Sequence, residues 1–157
     1  MIKIKVIAVG KIKEKYFIEA INEYAKRLSR YCDFSIIEVK EENFVKEPNS
    51  QEILEILKKE GEGIKKHLSG HVIAMCIEGK KRSSTELAKN VKEIANKCSE
   101  ICFIVGGSYG IDESVKKLAN EKLSISDMTL PHTLCRVVLS EQIYRAFSIL
   151  NDGKYHK

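Results

Sequence analysis

The pattern of apolar and charged residues at the start of the chain predicts a strand buried on both faces of a sheet. Charged and bulky apolar residues alternate up to Val6, and the segment is then wholly apolar up to Val9. Similar runs of apolar and β-branched residues predict four more strands, at residues 34–39, 71–77, 100–105 and 122–126. The run at 71–77 is continuous enough to predict a central strand.

Between these strands apolar residues recur every three or four positions, which predicts amphipathic helices. The predicted helices cover residues 15–30, a segment after Ser50, a segment after Ser83, residues 111–120 and residues 134–150. Strands that alternate with helices predict an α/β fold with a mostly parallel sheet and helices on both faces. Because the chain has no linker, repeat or low-complexity segment, we expect a single domain over residues 1–157.

Local signals predict where some of these helices begin and end. Ser50 is suited to be the N-cap of the second helix, and Ser83 with Glu86 predicts a capping box on the third. Gly61 and Gly63 each cost about 1 kcal/mol against alanine inside a helix. We therefore expect a break or a loosened turn near these glycines in the second helix, which carries Ile53, Leu54 and Leu57.

Composition excludes several classes of protein. No apolar run approaches the length of about 20 residues needed to cross a bilayer, and the N-terminus lacks the apolar core and cleavage site of a signal peptide, so we expect a cytoplasmic protein. The five cysteines include no Cys-x-x-Cys pair, and no histidine stands at metal-ligand spacing, which argues against a metal site and a catalytic thiol. Cys76 and Cys102 fall in predicted strands, where we expect them to pack as small hydrophobic residues.

The net charge of +5 permits nucleic-acid binding without demonstrating it. Two basic clusters, Lys11/Lys13/Lys15 and Lys80/Lys81/Arg82, follow predicted strands and could form one basic rim or two solvated surfaces.

Three predicted strands end in segments suited to binding a ligand. They are residues 75–79, 105–110 and 126–131, and ligands of open α/β sheets bind beyond the carboxyl ends of strands. The glycines of 105–110 would let the backbone approach a bound group. Their spacing matches neither the dinucleotide fingerprint nor a Walker-type motif. From the residues alone, a ligand site and a simple tight turn both stay open.

The last predicted helix is apolar around more than one face. Its main stripe consists of Leu139, Ile143, Ala146, Phe147 and Leu150, and Leu134, Cys135, Val137 and Val138 widen the first half. Such a helix is either deeply buried or packed against a partner, and an isologous dimer is the commonest arrangement. Pro131 suits the first turn. Arg136, Ser140 and Tyr144 form a polar stripe, and Glu141 stands four residues before Arg145, as in an ion pair.

At these residues the sequence closely resembles the RlmH-type large-subunit ribosomal RNA methyltransferases of the SPOUT class. The matching segments are residues 4–13 (IKVIAVGKIK), 103–110 (FIVGGSYG), 124–132 (SISDMTLPH), 139–146 (LSEQIYRA) and the terminal pair 155–156 (YH). Their order, their spacing and the chain length extend the resemblance over the whole protein.

The resemblance implies a homodimeric enzyme that uses S-adenosylmethionine to methylate ring nitrogen 3 of a pseudouridine in 23S ribosomal RNA of the assembled ribosome. It also implies a trefoil knot near the C-terminus, which is against the general rule for protein chains. The residues implied to hold the cofactor are Met75, Gly107, Ser126, Asp127, Met128, Thr129, Leu130 and Pro131.

The chemistry of this reaction suggests roles for residues near the C-terminus. The ring nitrogen must lose its proton to attack well, so a base or a stabiliser of the anionic ring is expected. We nominate His156, with Tyr155 orienting the base and Arg145 or Arg136 contacting RNA charge. A disordered chain end is the competing interpretation of this tail. A non-enzymatic RNA-binding module and a nucleotide-using α/β enzyme are the competing interpretations of the whole chain.

Overall fold

A computed structural model describes residues 1–157 as five strands that alternate with five helices. In chain order these are β1 (Lys3–Val9), α1 (Lys15–Leu28), β2 (Asp33–Val39), α2 (Ser50–Lys65), β3 (His71–Lys81), α3 (Ser84–Ala95), β4 (Glu100–Val105), α4 (Glu113–Lys116), β5 (Glu121–Ser124) and α5 (His132–Leu150). No helix is both long enough and apolar enough to span a membrane.

The five strands form one sheet in the order β2-β1-β4-β3-β5, and every neighbouring pair is parallel. Because β1, β4 and β3 are interior strands, their apolar runs are buried on both faces, as the sequence predicts. The α/β prediction with a parallel sheet is confirmed.

Alternate residues of each strand belong to two separate cores. On one face Ile4, Phe103 and Ile73 pack beneath α1, α3 and α5, and on the other face Ile7, Ile104 and Ala74 pack beneath α2 and α4. Helix α5 lies between α1 and α3 and contacts both. Since helices cover both faces of the sheet, a ligand can approach only at the ends of the strands, and ligands of such sheets bind at the carboxyl ends.

Three predicted boundaries are wrong. Strand β3 extends to Lys81 across the segment predicted as a loop, because its last residues pair again with β5 after an irregularity between Met75 and Lys80. Helix α4 is only four residues long. Asn49 rather than Ser50 caps α2, since its side chain accepts the Glu52 N–H while the Glu52 carboxylate accepts the Asn49 N–H. The capping box of Ser83 and Glu86 is confirmed.

The predicted break or loosened turn in α2 is also wrong. The helix continues through both glycines, and the side chains that it buries are Ile56, Glu60 and Ile64, while Leu54 is 57% exposed. The glycines are needed for close packing: a β-carbon on Gly63 would lie 2.5 Å from Cγ1 of Val39. Here packing against the sheet outweighs the low helix propensity of glycine.

The trefoil knot stays a prediction from the resemblance. Two features of the structure are relevant to the knot: β5 lies at one edge of the sheet, and α5 returns to lie between α1 and α3.

Replacing Gly63 with alanine should destabilise the protein, although the same change in an exposed helix stabilises it by about 1 kcal/mol. We expect a loss of about 1–3 kcal/mol because the added methyl overlaps the buried Val39 side chain. Urea unfolding of the Gly63→Ala and Val39→Ala variants and their double variant measures this coupling. A gain in stability for Gly63→Ala would contradict the packing explanation.

Candidate active site

A cavity of about 760 Å³ opens at the carboxyl edge of the sheet. Strands β3 and β4 pair only as far as Ala74 and Ile104 and then diverge, because β3 continues alone alongside β5. Three strand-end segments enclose the space between them, within residues 75–78, 105–111 and 123–132. These include the three segments that the sequence singles out as ligand-binding candidates.

Seven of the eight residues predicted to hold a cofactor line this one cavity. They are Met75, Gly107, Ser126, Met128, Thr129, Leu130 and Pro131. The exception is Asp127, whose exposed carboxylate accepts a hydrogen bond from Nζ of Lys81 at 2.6 Å. In this structure Asp127 therefore anchors its loop to the end of β3.

The glycine segment after β4 forms the inner wall of the cavity. A β-carbon on Gly106 would overlap the carbonyl oxygen of Gly110, so the loop can fold back on itself only with glycine there. A β-carbon on Gly107 would lie 3.1 Å from Val9 and 3.3 Å from a carboxylate oxygen of Glu60. Bare backbone therefore faces the cavity here, which allows a bound group to approach closely.

The loop between β5 and α5 forms the outer wall. The Ser124 hydroxyl donates to the carbonyl oxygen of Ser126 at 3.1 Å, and the Ser126 hydroxyl accepts the Met128 N–H at 3.0 Å. These bonds fold the loop into a compact turn. Pro131 occupies the N-cap position immediately before α5, one residue earlier than the first-turn position predicted for it.

Large apolar side chains surround the mouth of the cavity and are left in solvent. Ile77, Tyr109 and Met128 all line it, and Met128 is 77% exposed. Exposed apolar groups gathered around a concavity are typical of a binding site. On the opposite wall Lys116 donates to Glu78 at 2.6 Å, and this bond holds the pKa of the Glu78 carboxyl below its usual value.

The three residues nominated for catalysis form a second cluster at the far end of α5. Arg145 donates to Oε1 of Glu141 from Nε at 2.9 Å and from Nη2 at 2.6 Å, which makes the predicted ion pair. The Tyr155 hydroxyl donates to the same oxygen at 3.0 Å, and the guanidinium lies 4.6 Å from the centre of the Tyr155 ring. His156 lies 3.2 Å from Arg145, so the tail is held against α5 in this structure.

The contacts of this cluster indicate the protonation state of its members. Burial, with hydrogen bonds to Tyr24 and Glu141, raises the pKa of the Tyr155 phenol, so this group is a donor rather than a base. A guanidinium can only donate, so Nδ1 of His156 is the acceptor in this bond and the ring hydrogen lies on Nε2.

The two clusters are separated within one chain. Cys135 is the last residue of α5 that lines the cavity, and Arg145 follows ten residues later, about 15 Å further along the helix axis.

Similarity to known proteins agrees with this architecture. A family model described as "Predicted SPOUT methyltransferase" matches residues 2–156. The chain belongs to the SPOUT methyltransferase family.

Two relatives illustrate how far the similarity extends. The ribosomal RNA large subunit methyltransferase H of Limosilactobacillus reuteri is 48% identical over 157 residues, covering 98% of this chain and 99% of that protein. The protein of the same name from Acetivibrio thermocellus is 46% identical over 159 residues, covering 99% of each chain.

Solved structures with low identity share the SPOUT fold. A probable methylase family protein from Haemophilus influenzae Rd KW20 superposes with a TM-score of 0.56 at 13% identity, covering 95% of this chain and 66% of that one. The tRNA (m1G37) methyltransferase from Aquifex aeolicus gives 0.50 at 17% identity, with 92% and 69% covered.

Arg136 has a structural position in this SPOUT methyltransferase and is not available to RNA, contrary to the RNA contact suggested for it. Its side chain is 2% exposed and donates to the carbonyl oxygens of Val9 at 3.1 Å and Gly10 at 3.0 Å. It also donates to Oε2 of Glu38 at 3.0 Å. Arg136 therefore fixes the start of α5 to the ends of β1 and β2.

Glu60 is the residue of this SPOUT site that sequence reasoning missed. It is 3% exposed, Oε2 accepts the Glu42 N–H at 3.1 Å, and Oε1 is buried without a partner behind Gly107. Its spacing was an available signal, since Glu60 stands four residues from both Ile56 and Ile64 and so lies on the buried stripe of α2.

The Glu60 carboxyl should make stability depend on pH. Burial, aided by Glu41 and Glu42 and opposed by the Glu42 N–H bond, raises its pKa from 4.5 to about 7. The folded state therefore binds this proton more tightly than the unfolded chain, and the free energy of unfolding falls as pH rises from about 4.5 to 7.

We expect Glu60→Gln to raise the melting temperature at pH 8 and to change it little at pH 5, as measured by calorimetry. Glu62→Gln, on an exposed position of the same helix, is the matched control and should show no such difference. An equal effect of Glu60→Gln at both pH values would contradict the shifted pKa.

Proposed function

We propose that this protein is a cytoplasmic, S-adenosylmethionine-dependent enzyme that methylates ring nitrogen 3 of a pseudouridine in 23S ribosomal RNA of the assembled ribosome. The observation that carries the proposal is the cavity whose glycine-lined and apolar walls contain seven of the eight implied cofactor residues. The names of relatives at 46–48% identity over nearly the full chain support a ribosomal RNA substrate.

The residues around the cavity fit this cofactor. S-adenosylmethionine has no phosphate, so it requires no phosphate-binding lysine, and its adenine requires apolar walls and backbone hydrogen-bonding groups. Met75, Leu130 and Ile77 supply apolar surface, and the loops at 106–110 and 126–131 supply backbone groups. A volume of about 760 Å³ lies within the usual range for small-molecule sites.

When bound, the cofactor supplies a methyl group activated by a sulfonium. The protein must then place the ring nitrogen in line with this methyl group and accommodate the proton that leaves the nitrogen. In the tail cluster, the Nε2–H of His156 is free of the bond to Arg145, so it could donate to a ring oxygen and stabilise the anion. If the bond from Arg145 opens, Nδ1 of the same neutral ring becomes available to accept the proton.

Tyr155 and Glu141 position this cluster. The Tyr155 hydroxyl and the Arg145 guanidinium share one oxygen of Glu141, while the Tyr155 ring packs edge-on against Tyr144 at 4.8 Å between ring centres. The Arg145 guanidinium is thereby held in a position from which it can also contact the negatively charged phosphates of the RNA.

A homodimer would bring the two clusters together. Leu134, Val137 and Val138 are apolar residues of α5 that are only half-buried in the single chain. Antiparallel packing of two α5 helices around a twofold axis would cover them and would set the tail of one chain beside the cavity of its partner. This arrangement bridges the separation of about 15 Å within one chain.

Cofactor binding can be tested by filling the cavity. Thr129 is exposed and lines the cavity, so Thr129→Trp should fold normally and lower S-adenosylmethionine affinity at least about tenfold in titration calorimetry. Thr85→Trp places the same side chain at an exposed position away from the cavity and should bind normally. A folded wild-type protein that binds no cofactor would instead indicate an RNA-binding module without enzymatic activity.

The tail can be tested separately. His156→Ala should retain cofactor affinity and lose methylation of ribosomes that lack the modification, by about 10²–10⁴-fold, because the group that handles the ring proton is removed. Unchanged turnover would show that the terminal histidine has no part in the reaction.

Mixing the two variants tests the shared site. Co-expressed Thr129→Trp and His156→Ala chains should recover about a quarter of wild-type activity, because random pairing makes half of the dimers mixed and each mixed dimer has one intact site. Activity no greater than that of the separate variants, with mixed dimers demonstrated by mass spectrometry, would place both clusters of one site in the same chain.

A further inference from the structure

The carboxyl group of Glu60 lies directly behind the wall of the cofactor cavity. The backbone of Gly107 separates the two, and Oε1 is 3.3 Å from the position that a Gly107 β-carbon would occupy. This oxygen is buried and has no hydrogen-bond partner, although a buried polar atom normally has one. The absence of a partner leaves its charge uncompensated next to Gly107.

The charged groups that face Glu60 are also acidic. Glu41 and Glu42, on the loop after β2, both raise its pKa, and the Glu42 N–H is its one hydrogen-bond donor. The buried cation of this region, Arg136, is occupied by Glu38 and by the carbonyl oxygens of Val9 and Gly10. No cation therefore forms an ion pair with Glu60, and the glycine wall is backed by negative charge when this group ionises.

We propose that ionised Glu60 makes the cavity prefer a ligand with a positively charged sulfur over the same ligand with a neutral sulfur. The inference rests on the proposed function, in which the cofactor carries a sulfonium and its product, S-adenosylhomocysteine, carries a thioether. A buried carboxylate acts through the thin backbone wall at low effective dielectric, so it stabilises a cation in the cavity and gives little benefit to the neutral product. Glu60 thus acts on the ligand through the glycine wall without contacting it, and its charge favours replacement of the product by fresh cofactor.

This selectivity should depend on pH with a definite sign. A bound cation favours ionised Glu60, and by reciprocity ionisation of Glu60 favours binding of the cation. Because the group titrates near pH 7, the ratio of S-adenosylmethionine affinity to S-adenosylhomocysteine affinity should rise between pH 6 and pH 8.

The test is titration calorimetry with both ligands at pH 6, 7 and 8 on the wild type, Glu60→Gln and the surface control Glu62→Gln. The ligands' own amino groups titrate equally with every protein, so the comparison between proteins isolates Glu60. We expect the ratio to rise about three- to tenfold in the wild type and the control, and by clearly less in Glu60→Gln. Repeating the titrations at pH 7 in buffers of different ionisation enthalpy should reveal proton release on S-adenosylmethionine binding that Glu60→Gln lacks.

The outcomes separate the two proposals. Parallel pH profiles for the wild type and folded Glu60→Gln would overturn the role of Glu60 and leave cofactor binding intact. No binding of either ligand to the wild type would overturn the proposed function itself. If Glu60→Gln does not fold, Glu60→Asp replaces it as a variant that keeps a carboxylate. In that case proton release by the wild type at pH 7 decides the question, and its absence would overturn the inference.

Discussion

The buried guanidinium of Arg136 is the interaction on which the architecture of the site depends. Its hydrogen bonds to Val9, Gly10 and Glu38 join the first turns of α5 to two strand ends that lie more than 90 residues earlier in the chain. Because the Arg136 side chain is 2% exposed, loss of these partners would leave its buried charge without compensation. The hydrogen bonds of Arg136 thus fix where α5 begins. That position in turn places His132 and Cys135 in the wall of the cavity.

Helix α5 divides the chemistry between its two ends. Its first turn closes a cavity with apolar and backbone surfaces, while its last turns carry a charged cluster built on Glu141. Such a division suits a group transfer in which one reactant is a small molecule and the other is a large RNA, because each can be held by a different surface. In the proposed homodimer, the widened apolar face of the same helix would be the contact through which two chains complete one site.

Most of the fold could be predicted because its signals are local. The burial of β1, β4 and the first half of β3 follows from continuous apolar runs, and the capping box of Ser83 and Glu86 needs only four residues. The errors occurred where partners distant in sequence outweigh local preference. Helix α2 keeps its glycines because Val39 requires the space, and β3 continues past its apolar run because β5 lies alongside it.

The α/β class, the three strand-end segments and the family resemblance follow from the residues alone, because alternation, periodicity and motif spacing are properties of short stretches of chain. The tertiary structure brings these residues together. It joined seven implied cofactor residues around one cavity, turned Asp127 toward Lys81 and buried Arg136 away from solvent. It also placed Glu60 behind Gly107, 47 residues away in the chain. These contacts depend on strand order and on the path of the helices, and no local pattern of residues specifies either.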